Sequence, residues 1–183
     1  MCRYALPILV TAGGIGVLLS EDPHRVMREE YGMAAIMHSV EIDRGPDEVF
    51  AYVTDPSHFT EWQTEVVSAH AVESGPLQEG SRLVMTRRMG GREQTMTSEY
   101  TEYDSPRSYA FRILDGPVRA LGKGKFEPLD DGDRTRFTME LDFEGHGIGK
   151  LLVPLVVRRQ AAKELADTHE DLKRMFEDNS PSR

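Results

Sequence analysis

Cysteine is almost missing from this chain: among 183 residues the single one is Cys2. A disulfide framework and a cysteine-based metal site are both excluded by that count. Positive charge is also scarce. Against 22 Lys and Arg stand 31 Asp and Glu, a formal net charge of −9 with a pI near 5.2. With no basic stripe to compensate, nucleic acid is not expected as a partner. The histidines His58, His146 and His169 fall on different elements without H-x-x-x-H spacing, so neither a metal site nor a cofactor is expected. G-x-S-x-G, phosphate-loop and dinucleotide fingerprints are absent, and the glycine cluster Gly13-Gly14-Ile15-Gly16 follows no credible strand. No apolar run reaches the roughly 20 residues of a comfortable membrane span, so stable insertion is not expected. A chain of this length builds one domain with a real core. The expectation is a reduced, soluble, cytoplasmic protein, monomeric or homodimeric.

The first 36 residues read as a leader outside the fold. Ala5 to Leu19 is apolar and follows Arg3, as in the charged and apolar regions of a signal peptide. No small-x-small cleavage site comes after it. Glu29-Glu30 must be encoded by purine-rich codons, and only Tyr31 and Gly32 separate them from Met33. That is the composition and spacing of a bacterial ribosome-binding site. A translation start at Met33 or Met37 is expected, with an export signal or anchor as the alternative. The intact mass of natively expressed protein checks this.

From residue 37 the order is legible. His38 to Ile42 alternates as a strand, and Gly45-Pro46-Asp47 opens a short helix burying Val49, Phe50 and Val53. Asp55-Pro56-Ser57 stops it and starts a second short helix with His58, Phe59 and Trp62. Strands are expected at 66–73, 82–89, 92–103, 107–114, 118–128 and 134–144. Gly90-Gly91 is a two-residue hairpin signal of the primed-turn type. Phe137, Met139, Leu141 and Phe143 share one face, as do Tyr109, Phe111 and Ile113. Gly122 and Gly124 fall on an inward row, where they either bend the strand sharply or leave space above it. For 92–103, one register puts Tyr100 and Glu102 inside and the other puts Glu99 and Thr101 there.

Residues 147–176 form one long amphipathic helix. Leu151, Leu155, Ala162, Leu165, His169, Leu172 and Phe176 make the apolar stripe, and Lys163, Glu164, Asp167, Glu170, Lys173 and Arg174 fill the other sides. Pro154 sits near the helix start or marks a kink. His169 reads as a partly buried packing residue rather than a base. The fold class is α+β: a curved antiparallel sheet, dry on one face, wrapped around the C-terminal helix, with residues 178–183 as a disordered tail.

Gly45 to Pro56, Glu61-Trp62-Gln63, Tyr100 to Arg107, Gly124 to Pro128 and Leu151 to Arg159, in that order, carry a resemblance. Residues 37–177 resemble the START-like (SRPBCC) superfamily, in its bacterial polyketide cyclase/dehydrase and lipid-transport branch, whose fold is the helix-grip. The resemblance implies an apolar cavity between sheet and final helix that holds a lipid, a polyketide or another hydrophobic molecule. Phe59, Trp62, Met85, Arg87, Tyr100, Phe111, Phe126, Met139, Leu152 and Val156 are the expected ligand-binding residues. Met85, Met89, Met96 and Met139 are either soft liners or plain core, and Trp62 either touches ligand or packs at core and rim. Arg87, on the face of Leu83 and Met85, either orients a ligand carboxylate, enolate or ketone or reaches water at the strand's open end. No catalytic residue is assigned. Hydrophobic-ligand binding is the first expectation. An aromatase/cyclase-like enzyme and a protein-interaction module are the alternatives, because one scaffold hosts all three.

Overall fold

The structure, a computed structural model, describes residues 35–116, 119–143 and 154–178, except the side chains of 154–158. Seven strands, β1 (Ile36–Ile42), β2 (Val66–Ala71), β3 (Arg82–Met89), β4 (Arg92–Asp104), β5 (Ser108–Asp115), β6 (Ala120–Leu129) and β7 (Arg134–Phe143), form one sheet. Its spatial order is β1-β7-β6-β5-β4-β3-β2, with every neighbouring pair antiparallel. The chain crosses from one edge strand to the other through α1 (Pro46–Thr54), a 3₁₀ turn (Pro56–His58) and α2 (Phe59–Trp62). The last element is α3 (Pro154–Asp178).

Local chemistry explains the short elements. Pro46 occupies the first turn of α1, where its missing N–H is no loss, and Asp47 and Glu48 meet the positive end of the helix. The Asp55 carboxylate accepts from the Ser57 backbone N–H at 2.9 Å and so caps the 3₁₀ turn. Gly90 and Gly91 turn β3 into β4 with φ of 58° and 77°. Positive φ at both central positions is the type I′ geometry that matches strand twist.

Strand pairing sorts the inner face into rows. Ile42 faces Thr135; Val40, Phe137 and Phe126 form the next row; then His38, Met139, Gly124, Tyr109 and Tyr103; then Ile36, Leu141, Gly122, Phe111 and Tyr100. The first two rows are sealed, with Ile42, Thr135 and Phe137 fully buried. α1 closes them from above. Phe50 packs edge-on against Tyr103 and Phe126 at 5.2 and 5.1 Å between ring centroids, and Thr54 bonds the Tyr103 hydroxyl at 3.0 Å.

α3 lies along β1. Leu165, His169, Leu172 and Phe176 are buried, and the Arg44 guanidinium donates to the Phe176 carbonyl at 3.1 Å. The expected stripe holds from Leu165 onward. One turn earlier it needs correction: Ala162 is exposed and Ala161 is half-buried. A helix repeat of 3.6 residues places the position before Leu165 between the two, and packing selects Ala161. Leu151 lies outside the described residues, and so does the side chain of Leu155.

Gly122 and Gly124 do not leave open space. A Cβ on Gly124 would sit 2.4 Å from the Tyr109 ring, and one on Gly122 would sit 2.4 Å from the Phe111 ring. The rings of β5 lie flat across the bare backbone of β6. Tyr109 is held there by Phe50, Tyr100 and Phe126, whereas Phe111 is only half-buried. We expect Gly124→Ala to lower stability by about 1–3 kcal/mol through overpacking, and Gly122→Ala to lower it less, because Phe111 has room to swing. Urea denaturation of the two variants measures the difference, and equal losses would contradict this packing account.

Candidate ligand-binding site

The sealed rows define one end of the inner face; the other end is incompletely covered. Met85, Phe111, Ile113, Met139, Leu141 and Phe143 all face inward by register, yet all are only half-buried. On this side α3 reaches β3 through Glu164 and the α2–β2 junction through Asp171. An inward apolar surface that the described residues leave short of cover is a place for a ligand to complete.

Register settles the inward side of β4 with a device that simple alternation does not anticipate. A bulge between Tyr100 and Glu102 inserts one residue, so Tyr100 and Tyr103 both turn inward. Glu99 and Glu102 both face outward, where they pair with Arg112 at 2.8 Å and Lys123 at 3.3 Å. Neither expected face, Tyr100 with Glu102 or Glu99 with Thr101, is correct as a set. Tyr100 is buried and donates to the Thr54 carbonyl at 3.2 Å; burial raises its hydroxyl pKa well above the ordinary value. Burial likewise raises that of Tyr109, whose hydroxyl donates to the Met139 sulfur at 3.6 Å.

The Arg87 side chain keeps 24% of its surface exposed and is turned to α3. It ion-pairs with Glu164 of α3 and lies directly across β2–β3 from Val66. Glu164, assigned by helical spacing to the polar sides, is half-buried and turned to the sheet. The pair ties β3, the strand next to the edge strand β2, to the helix. Its charges are matched before any ligand arrives.

His169 and His38 form a second polar contact under α3. Their Nδ1 atoms lie 2.9 Å apart, so one must donate to the other. His169 is 1% exposed, with its ring centroid 4.9 Å from that of Phe137. Desolvation and the neighbouring His38 hold its pKa down to about 3, so its imidazole is neutral at ordinary pH. Three buried nitrogens, Trp62 Nε1, Arg87 Nε and His169 Nε2, have no hydrogen-bond partner among the described residues.

The expected site residues therefore divide. Phe59 and Trp62 pack edge-on at 6.1 Å and are buried. Tyr100 and Phe126 are core. Met85, Phe111 and Met139 line the half-covered end, and Arg87 is at its rim in the ion pair. Leu152 lies outside the described residues, as does the side chain of Val156. Sequence reasoning missed the half-buried, sheet-facing Glu164; it put Tyr109 on an inward row but not among the ligand-binding residues, and the reach of Tyr109 to Met139 depends on Gly124. Among the described residues no cluster of three or more His, Cys, Asp or Glu could hold a metal. Among them, too, no helix is long and apolar enough to cross a membrane.

A curled seven-stranded antiparallel sheet gripping a C-terminal helix, with short helices after the first strand, is the helix-grip fold of START-like proteins. The family described as polyketide cyclase / dehydrase and lipid transport matches residues 33–177, and the chain belongs to it. Comparison with curated proteins finds no match. Among solved structures, a START superfamily protein from Mycobacterium smegmatis superposes with a TM-score of 0.68 at 17% identity, over 81% of this chain and 100% of the other. A protein from Thermus thermophilus gives 0.67 at 19% identity, over 80% and 99%. The di-domain ARO/CYC protein BexL gives 0.61 at 20% identity, over 76% of this chain and 46% of that one. At these identities the likeness is one of fold.

The neutral His169 has a consequence for acid stability. In the unfolded chain it takes up a proton as pH falls through its ordinary value near 6.5, whereas in the folded protein it resists protonation down to about 3. The contribution is therefore intact above that ordinary value and is lost as pH falls between the two. The slope is on the order of 1 kcal/mol per pH unit in the middle of that window. We expect the urea midpoint to fall on acidification from neutral to mildly acidic pH, and His169→Leu to flatten that fall. An unchanged slope would show that His169 is protonated in the folded state.

Proposed function

We propose that this protein binds an apolar small molecule, a lipid or polyketide-like compound, against the inner face of β3 to β7 beneath α3. One observation supports this above others. The inward residues Met85, Phe111, Ile113, Met139, Leu141 and Phe143 remain half-buried while the adjoining rows are sealed. Two of the six are methionines, whose flexible thioethers adapt to varied apolar shapes. Family membership agrees with the reading, because the family's description joins cyclases and dehydrases with lipid transport.

A second reading is a cyclase- or dehydrase-like activity, and the observation favouring it is His169. In the tautomer that donates from Nδ1 to His38, its Nε2, unpartnered among the described residues, keeps a lone pair that can take a proton, although burial makes this imidazole a weak base. Deuterium exchange at carbons beside the carbonyl of a bound ketone, abolished in His169→Leu, would mark this activity.

The binding reading is tested with Nile red, an uncharged dye that brightens in apolar surroundings, together with native mass spectrometry of the purified chain. Saturable dye binding or a co-purifying apolar mass is expected. Leu141→Trp, which fills the half-covered face, should weaken dye binding about tenfold or more while moving the urea midpoint little. A protein that carries nothing and leaves the dye dark would remove this reading.

A further inference from the structure

In a chain whose acidic residues outnumber the basic ones by 31 to 22, each cation has carboxylates to choose from. Every lysine or arginine whose side chain is described pairs with an Asp or Glu, except Arg88, Arg92, Arg119 and Arg159. These exceptions are all exposed. Among the described residues only Arg119 makes a side-chain hydrogen bond, its guanidinium donating to the Ile113 carbonyl at 3.3 Å.

Register and helix direction place all of them at the half-covered end. Arg88 and Arg92 flank the Gly90-Gly91 turn, with Met89 paired to Arg92. Among the described residues neither neighbouring strand follows this hairpin to its tip. β5 stops at Asp115 opposite Thr97, and on the other side the last bond is the Arg88 N–H donating to the Glu65 carbonyl at 2.8 Å. α3 runs from this end towards the sealed one, since its Glu164 meets Arg87 and its Phe176 meets Arg44. Arg159 precedes Glu164 by about 7.5 Å of helix rise and so lies beyond the level of Arg87. Arg119 adjoins Ala120, the partner of Phe143. Arginines of the hairpin, the helix and the β5–β6 connection thus border the face of Met85, Ile113 and Phe143.

Local carboxylates do not neutralise them. Glu93 is opposite Arg88 in register but closes no ion pair with it, and Asp115 accepts from the Thr97 N–H at 2.7 Å. Guanidinium groups left exposed and unmatched keep their charge for an outside partner, and phosphate fits their planar fork. Met89, half-buried between two arginines and beside two glycines, adds an apolar point at the tip. Cations flanking an apolar tip, beside an apolar face, match the interface of a lipid bilayer. We propose that this end of the molecule docks on an anionic bilayer, with Arg88, Arg92, Arg119 and Arg159 on lipid phosphates and Met89 at headgroup depth. The net charge of −9 on the whole chain turns the rest of the surface away and orients the approach. This surface goes beyond the ligand-binding reading.

Vesicle co-sedimentation of the full chain needs no ligand, so the docking surface and the ligand-binding reading can fail separately. Binding is expected to vesicles that mix phosphatidylglycerol with phosphatidylcholine and not to phosphatidylcholine alone, and high salt should abolish it. Arg92→Gln should weaken binding about fivefold, and Arg88→Gln with Arg92→Gln about twentyfold, with circular dichroism checking the fold. Arg107, whose carbonyl accepts from Phe126 of a sealed row, is the control. Arg107→Gln removes the same charge from the far end and should change binding less than about twofold. No binding at low salt, equal binding to both vesicles, or an equal loss in Arg107→Gln overturns the proposal. Soluble polyglutamate bound as tightly as the vesicles, through the same arginines, overturns it in favour of an acidic protein partner.

Discussion

The packing of the inner face depends on two side chains that are missing from the sixth strand. Gly122 and Gly124 give Phe111 and Tyr109 a surface on which to lie flat, and those rings occupy the volume that two Cβ atoms would have claimed. The Tyr109 hydroxyl then extends beyond β6 to Met139 on β7, so a residue of one strand packs against a strand two places away. On the same inner face α1 packs Phe50 over Phe126 and Tyr103, and α3 seats His169 over Phe137.

The polar groups under α3 follow a different logic from the aromatic ones. An ion pair that keeps part of its surface in water contributes little to stability, so Arg87 and Glu164, with side chains 24% and 36% exposed, are poorly explained as a source of it. They fix instead where the helix sits over β3. His38 and His169 do the same over β1 with a single shared proton. Both contacts join the helix to opposite borders of the sheet, and both include a buried nitrogen left without a partner among the described residues.

How much of this was legible from the residues depends on whether the signal was local. The Gly90-Gly91 turn and the Pro46-Asp47-Glu48 helix start depend on neighbours in sequence, and their strand and helix limits emerge within a residue or two of the expected ones. The β6 glycines announced that something unusual happens there, but only the rings of the adjacent strand decide between space and contact. The bulge at Tyr100 and Glu102 has no local signature, since both faces of β4 carry polar and aromatic residues. Glu164 was misplaced because helical spacing assigns charge to solvent, and spacing knows nothing of an arginine on a strand far away in sequence.

The burial gradient along the inner face also separates two kinds of mutational freedom. Replacing a sealed residue such as Phe137 or Ile42 opens a cavity that the surroundings cannot refill, which costs several kcal/mol. Positions such as Ile113, Leu141 and Phe143 already stand half outside the core, so their side chains can change size with little penalty. In a lineage built on this fold, divergence would therefore accumulate at one end of the sheet while the other stays fixed. The shape of what the protein recognises can drift without the scaffold having to be rebuilt.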